Sequence, residues 1–395
     1  MNINDSVYKR EERAVFALRS LYQSYGYSKY KMSKFEEYDL YVRNKDFLVS
    51  DHIISFTDTN GKLMALKPDV TLSIIRNTKE VPDSVQKLYY NENVYRVSKG
   101  TQSFKEILQA GLECIGDIDD YCLLEVLMLA AESLKLISGR FVLDISHLGV
   151  VSGVLDSLNL SMEGRRMILK CIGDKNFHGI MDICNKEEIP AGQVEFLRLL
   201  VTSYGAPEEV LPKLKAQIAE GMETGTGIAA AGPQTTAAEV SAALNALEQL
   251  ERIISALQSL GYGDQIRIDF SVINDMKYYN GIVFKGFVNG IPSGILSGGQ
   301  YDKLMQKMGK KAGAIGFAVY LDLLERLAET IRPYDVDALL LYDETSDLKT
   351  VSDTVHFLTG SGKSVLAGRS VPENLKYKQL LKLQEGRVEI LENNA

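Results

Sequence analysis

Two runs of residues, 88–97 and 107–115, constrain this chain more than any other feature in it. Both are rich in aliphatic, aromatic and β-branched side chains, and a polar loop over 98–105 joins them. Such a pair predicts two long antiparallel strands. A second, shorter pair precedes it at 53–57 and 63–67, joined by Asp58-Thr59-Asn60-Gly61, a hairpin turn because Asn-Gly tolerates positive φ. Adjacent antiparallel pairs are poorly compatible with a doubly wound parallel sheet.

The remaining elements fit around those pairs. Residues 6–26 carry Val7, Val15, Phe16, Leu18, Leu21 and Tyr22 near helical spacing, with Gly26 as the C-cap. Residues 30–41 read as extended and aromatic. Pro68 stops a strand, and 70–78 predicts a helix. Residues 119–138 predict a strong helix, 141–146 a strand and 150–158 a helix. Residues 160–265 read as almost entirely helical, interrupted by a small-residue segment, 221–236, whose glycines suggest a mobile loop and not a phosphate cradle. The β signal returns at 266–270, 282–288 and 294–297. Residues 298–302 read as a turn, and 316–327 lead into a helix. A tail follows with strand 338–342, helix 348–359, strand 364–367 and further elements to Leu391.

The pattern predicts an α+β fold, an antiparallel sheet flanked by helices. Its core covers 1–330 with a helical insertion at about 160–265, and 331–395 form a short α/β C-terminal domain. A chain of 395 residues is long enough for more than one domain. Its net charge of −8 argues against broad nucleic-acid or membrane binding through charge alone. Residues 1–10 contain no apolar h-region, and no apolar run reaches membrane-spanning length, so a cytoplasmic protein is expected. Cys114, Cys122, Cys171 and Cys184 form no CxxC pair, and His52, His147, His178 and His356 share no ligand spacing, so neither a metal site nor a cofactor is expected.

Three distant segments carry groups that suit a free amino acid: Leu66-Lys67-Pro68-Asp69-Val70-Thr71, then Tyr95-Arg96 through Gln109-Ala110-Gly111-Leu112-Glu113, then Tyr278-Tyr279-Asn280-Gly281. A carboxylate, a hydroxyl and an amide oxygen recognise an ammonium, and Asp69, Thr71 and Gln109 supply one each. Gln109, Gly111 and Glu113 share one face of a strand, with Gly111 leaving room above it. Glu113 can accept from an imidazole N–H, and Tyr278 or Tyr279 offers an aromatic face. Taken singly, each residue has an ordinary structural reading: a paired or solvated Glu, a packed Tyr pair. Their order and spacing favour a site.

These segments, with Gly298-Gly299-Gln300-Tyr301-Asp302 and Gly316-Phe317-Ala318, resemble the histidyl-tRNA synthetase catalytic core over roughly residues 1–330. The departures matter as much. The synthetases carry an Arg-Gly-Leu-Asp run before the tyrosine pair; Asn274-Asp275-Met276-Lys277 stands here, with Asn274 at the arginine position. Leu323 stands where motif 3 has an arginine, Tyr320 where it has a glycine, and Ser33 at the motif 1 proline. The loop over 98–105 has no arginine. Each lost donor to a developing phosphate charge costs on the order of 3–4 kcal/mol of barrier. Arg96 alone persists; the alternative is that Arg267, Lys277 or Lys285 rearranges to substitute, although a lysine does not give the planar bidentate contact. Acidic residues outnumber basic ones over 335–395, and the tail is short for an anticodon-binding domain, so tRNA recognition is not expected.

The pattern is similar to the synthetase-like regulatory subunits of ATP phosphoribosyltransferase in histidine biosynthesis. That resemblance implies a protein with no catalytic residues. It implies a homodimer within a hetero-oligomer with the short catalytic subunit, and L-histidine as feedback effector. The expected histidine-binding set is Asp69, Thr71, Arg96, Gln109, Glu113, Tyr278 and Tyr279, with a subunit interface as the other place for the inhibitory histidine. A divergent but active histidyl-tRNA synthetase is the alternative.

Overall fold

A computed structural model describes residues 8–45, 48, 53–98, 101, 103–224, 237–273, 279–327, 333–384 and 386–394, without side chains over 218–240. The chain divides into two compact units. One is Arg10–Leu327, and the other includes Ala328–Ala395.

The first unit begins with helix α1 (Arg10–Ser24), then β1 (Ser28–Lys29), β2 (Phe35–Glu37), α2 (Tyr38–Arg43), β3 (Ser55–Thr57), β4 (Leu63–Leu66) and α3 (Thr71–Asn77). The long hairpin β5 (Val85–Val97) and β6 (Phe104–Gly116) follows, then α4 (Asp120–Ile137), β7 (Phe141–His147) and α5 (Leu148–Ser157). The insertion contains α6 (Met162–Gly173), α7 (Phe177–Lys186), α8 (Ala191–Thr202), β8 (Tyr204–Gly205), α9 (Pro207–Thr224) and α10 (Ala237–Ser259). Strands β9 (Ile266–Asp269), β10 (Ile282–Val288) and β11 (Leu296–Gln300), helix α11 (Asp302–Lys307) and strand β12 (Gly313–Tyr320) complete it.

Nine strands form one sheet in the order β1-β5-β6-β12-β11-β10-β7-β9-β8. Every pairing from β5 to β7 is antiparallel; β1 on β5 and β9 on β7 are parallel. The α+β expectation therefore holds. Register makes the two faces different. Tyr89, Leu112, Phe317, Gly298, Phe284, Ile145 and Ile268 are successive partners across the sheet, and the large apolar members belong to the main core. Helices α1 and α4 contribute to that core; Tyr22 from α1 meets Phe317 edge-on at 6.0 Å and its hydroxyl bonds Ser133 of α4 at 3.0 Å. Gly298 leaves the space that the Phe284 ring takes, since a Cβ there would lie 2.6 Å from that ring.

The opposite face is polar. One row of partners runs Tyr90, Gly111, Ala318, Ser297, Lys285, Asp144 and Arg267. The next runs Leu88, Glu113, Gly316, Gly299, Val283 and Ser146. A small sheet, β2-β4-β3, precedes α3. Its turn is the expected one: Asp58 Oδ1 accepts from the Asn60 and Lys62 amides at 2.8 Å each, and Gly61 takes φ +80°.

Several local expectations need correction. Residues 38–41 are not extended, because Tyr38–Arg43 close a helical turn with Tyr41 buried. The insertion is almost entirely helical, as expected; its exception is Tyr204–Gly205, which pair with Ile268 and Asp269 and form an edge of the main sheet. Helix α9 runs on to Thr224, inside the stretch read as a loop, while 225–236 lie outside the described residues. Residues Gly298–Gln300 are strand rather than turn, since glycines are what that packed strand accommodates. Residues Gly313–Tyr320 form a strand, and only a 3-10 segment, Leu321–Arg326, follows.

In the second unit, β13 (Val336–Leu341), α12 (Leu348–Gly360) and β14 (Val365–Gly368) make a parallel crossover, and β15 (Tyr377–Gln384) and β16 (Arg387–Asn393) complete the order β14-β13-β15-β16. Its small core contains Ala338, Leu340, Val351, Leu358, Leu381 and Leu383.

Candidate functional site

Pro68 ends β4 and forces a turn, and Asp69 uses its carboxylate to start α3: Oδ1 accepts from the Leu72 amide at 2.9 Å. This sets Thr71, the first residue of α3, over the polar face of the sheet. Thr71 Oγ1 donates to Glu113 Oε1 at 2.7 Å, and the Tyr301 hydroxyl donates to Glu113 Oε2 at 2.6 Å. Glu113 lies across Gly316, where a Cβ would come 1.8 Å from Oε2. That glycine is required by the side chain opposite it in register.

Asp69, Thr71, Arg96, Gln109, Glu113 and Tyr279 line one cavity of about 120 Å³. Tyr278, the seventh expected residue, lies outside the described residues, as does Asn274. Tyr90, Ser297, Tyr301 and Tyr320 also line this cavity and were not in the expected set. No local sequence signal marks Tyr90: it is the cross-strand register partner of Gly111, and a Cβ on Gly111 would lie 2.6 Å from the Tyr90 ring. The room left by Gly111 is thus taken by Tyr90. Tyr301 sits in a quoted motif but was read as part of a turn. Its hydroxyl reaches Glu113 because β11 continues to Gln300.

The electrostatics are unusual for so small a space. Burial pushes the Glu113 carboxyl up to about 8, Asp69 adds to the shift, and the Tyr301 and Thr71 hydroxyls oppose it. Burial likewise raises Asp69, opposed by the Leu72 amide and Arg96. Arg96 Nε donates to the Pro68 carbonyl at 3.2 Å. Among the described residues lining this cavity, Arg96 is the cation. Two carboxyl groups held uncomfortably in low dielectric favour a cation that enters and bonds to both.

A second cavity of about 220 Å³ shares Tyr279, Ser297 and Tyr320 with the first. Ser297 Oγ and the Tyr320 hydroxyl are 3.2 Å apart and form part of the common wall. Val272, Ile273 and Val283 give it apolar sides, and Lys285 supplies its charge. Leu323, at the expected motif 3 arginine position, packs against the main core.

A larger depression of about 860 Å³ lies at one end of β5, β6, β11 and β12. Its Glu80 is committed to the Lys311 and Ala312 amides at 2.5 and 2.7 Å. No group of His, Cys, Asp and Glu among the described residues suits a metal ion. No described helix is long and apolar enough to cross a membrane.

A large, mostly antiparallel sheet flanked by helices has the class II aminoacyl-tRNA synthetase-like architecture. The family model described as histidyl-tRNA synthetase matches residues 2–324. A protein of Caldanaerobacter subterraneus subsp. tengcongensis named ATP phosphoribosyltransferase regulatory subunit is 33% identical over 310 residues, covering 77% of this chain and 75% of that one. The crystal structure of an ATP phosphoribosyltransferase regulatory subunit/histidyl-tRNA synthetase from Bacillus halodurans superposes with a TM-score of 0.72 at 22% identity, covering 97% of this chain and 96% of that one. A chain of the ATP phosphoribosyl transferase (HisG:HisZ) complex from Thermotoga maritima gives a TM-score of 0.57 at 20% identity, covering 79% and 97%. The chain belongs to the histidyl-tRNA synthetase family and, within it, to the ATP phosphoribosyltransferase regulatory subunits.

Proposed function

We propose that this chain is the non-catalytic regulatory partner of a short-form ATP phosphoribosyltransferase catalytic subunit in histidine biosynthesis. It raises that subunit's activity and makes it sensitive to L-histidine. The observation that carries this reading is the pair of buried carboxyl groups, Asp69 and Glu113, facing a cavity of about 120 Å³ beside a lone guanidinium. That arrangement suits the ammonium and imidazole of a free amino acid. A triphosphate needs several converging cations, and Arg96 and Lys285 are the cations among the described residues lining the two cavities.

In this reading Asp69, Thr71 and Gln109 hold the ammonium, and Glu113 and Tyr278 address the imidazole. Burial raises the Asp69 carboxyl, and the Leu72 amide and Arg96 oppose that rise. The chain forms a homodimer within the hetero-oligomer. Effector binding shifts the partner between active and inactive arrangements by a coupling of about 1–3 kcal/mol, which must be reciprocal.

Reconstitution with the catalytic subunit tests the reading. Phosphoribosyl transfer rises when the chain is added and falls when L-histidine follows, while histidine-dependent ATP–pyrophosphate exchange by the chain alone stays at background. Robust exchange, or no effect on the transferase, overturns it.

A further inference from the structure

The polar row on the sheet continues past the amino-acid cavity. Ser297 is the register partner of Ala318 on one side and of Lys285 on the other. Ala318 and Ser297 line the first cavity; Ser297 and Lys285 line the second. Neighbouring strands lie about 4.8 Å apart, a step that a lysine stem spans. The Lys285 ammonium can therefore reach the wall that Ser297, Tyr320 and Tyr279 share between the cavities.

Lys285 is held loosely at present. Its ammonium rests 5.6 Å from the centre of the Phe287 ring. A contact of that kind is weaker than a hydrogen-bonded charge pair. Its cross-strand partner Asp144 forms no ion pair with it among the described residues, and Asp144 Oδ1 is buried without a hydrogen bond. Burial and the nearby Asp269 push the Asp144 carboxyl up to about 7, so its charge only partly offsets Lys285 near neutrality. Arg267, Lys175 and Lys285 face it and oppose the rise. The stem of Lys285 runs close over Gly294: a Cβ there would lie 2.4 Å from Lys285 Cε, so a larger residue would displace the stem.

We propose that the Lys285 cavity is the anion subsite of this site and takes the carboxylate of a zwitterionic ligand whose cationic end faces Asp69, Thr71 and Glu113. The inference rests on the amino-acid reading above. It names Lys285, the cation among the described residues lining the second cavity, as the carboxylate partner. The ligand class becomes an amino acid with a free carboxylate, and decarboxylated analogues bind poorly.

Calorimetry on the full chain with L-histidine and with histamine, which lacks the carboxylate, tests it. The unmodified protein binds L-histidine at least tenfold more tightly than histamine. Lys285→Met, which keeps the apolar stem, weakens L-histidine about tenfold and leaves histamine unchanged. Lys285→Arg restores discrimination. Gly294→Ala retains the charge but displaces the stem, and it reduces discrimination without abolishing it. Thermal melting of each variant separates a folding defect from a binding one. Equal weakening of both ligands by Lys285→Met, or no weakening of either, overturns the subsite while leaving the histidine reading intact. Absence of L-histidine binding to the unmodified protein overturns the histidine reading, and the subsite with it.

Discussion

Thr71 Oγ1 donates its only proton to Glu113 Oε1 across 2.7 Å, which fixes the polarity of the hydroxyl toward the cavity. With the donor spent, Thr71 can offer a ligand only a lone pair, the group an ammonium requires. The Tyr301 hydroxyl is committed to Glu113 Oε2 in the same way. Replacing Thr71 by Val should weaken L-histidine binding roughly tenfold or more, the cost of a hydrogen bond to a charged group. Thr71→Ser should retain most of the affinity. Calorimetry with both variants measures this.

Glu113 gives a signed pH dependence. Its carboxyl is raised from an ordinary 4.5 to about 8 in the folded chain, chiefly by burial and then by Asp69. The folded state therefore holds a proton that the unfolded state loses between those values. By linkage, stability falls as pH rises through that window and levels off above about 8. Glu113→Gln should flatten this slope in melting curves taken from pH 5 to 9. A variant with the same slope as the parent would mean that another group carries the effect.

A cationic ligand works against the same proton. If an ammonium or imidazolium binds beside Asp69 and Glu113, the Glu113 proton leaves on binding. L-histidine titrations near pH 7.5 in buffers of different ionisation enthalpy should show net proton release, and the release should shrink in Glu113→Gln.

Gly316 and Glu113 are opposite in register and have no slack. A methyl at Gly316 would lie 1.8 Å from Glu113 Oε2 and 2.4 Å from the Leu112 carbonyl, which is backbone. Gly316→Ala should cost about 1–3 kcal/mol or more in denaturant unfolding, as overpacking does. Gly309→Ala offers a contrast, because no neighbour lies within 4 Å and only its φ of +77° opposes the change.

Lys67 is buried and pairs with Glu92 Oε2 at 2.5 Å, and Glu92 Oε1 also accepts from the Met32 amide at 3.4 Å. Lys67→Met should destabilise the chain by about 3–5 kcal/mol, because it leaves the glutamate uncompensated. Adding Glu92→Leu should recover part of that loss. Chemical denaturation of the single and double variants reads out both steps.

Much of the fold is legible in the sequence. The β5–β6 hairpin announced itself through two long β-forming runs, and Pro68 marked the entry to α3. Asp69, Thr71, Gln109 and Glu113 line one cavity, and their grouping was legible from the order and spacing of motifs that resemble a known family, not from any one residue. What was hidden is cross-strand. Tyr90 and Tyr320 line the cavity because of register with Gly111 and Gln109, pairings between segments far apart in the chain. Strand β12 was misread as the approach to a helix, since Gly316-Phe317-Ala318-Val319-Tyr320 carries no local strand signal strong enough to override its small residues. Pairing on both sides, to β6 and β11, supplies what the local sequence lacks.

The two residues of β8 matter out of proportion to their number. They stitch the insertion into the sheet at Ile268 and Asp269, and Lys175, from the α6–α7 connection, adds a bond to Asp269 at 2.7 Å. Cutting the insertion away would bare a sticky β-ribbon margin and strand a buried acid. A trimmed version of this protein should clump rather than shrink to a tidy minimal domain, and any partner that tugs on those helices has a handle on the platform itself.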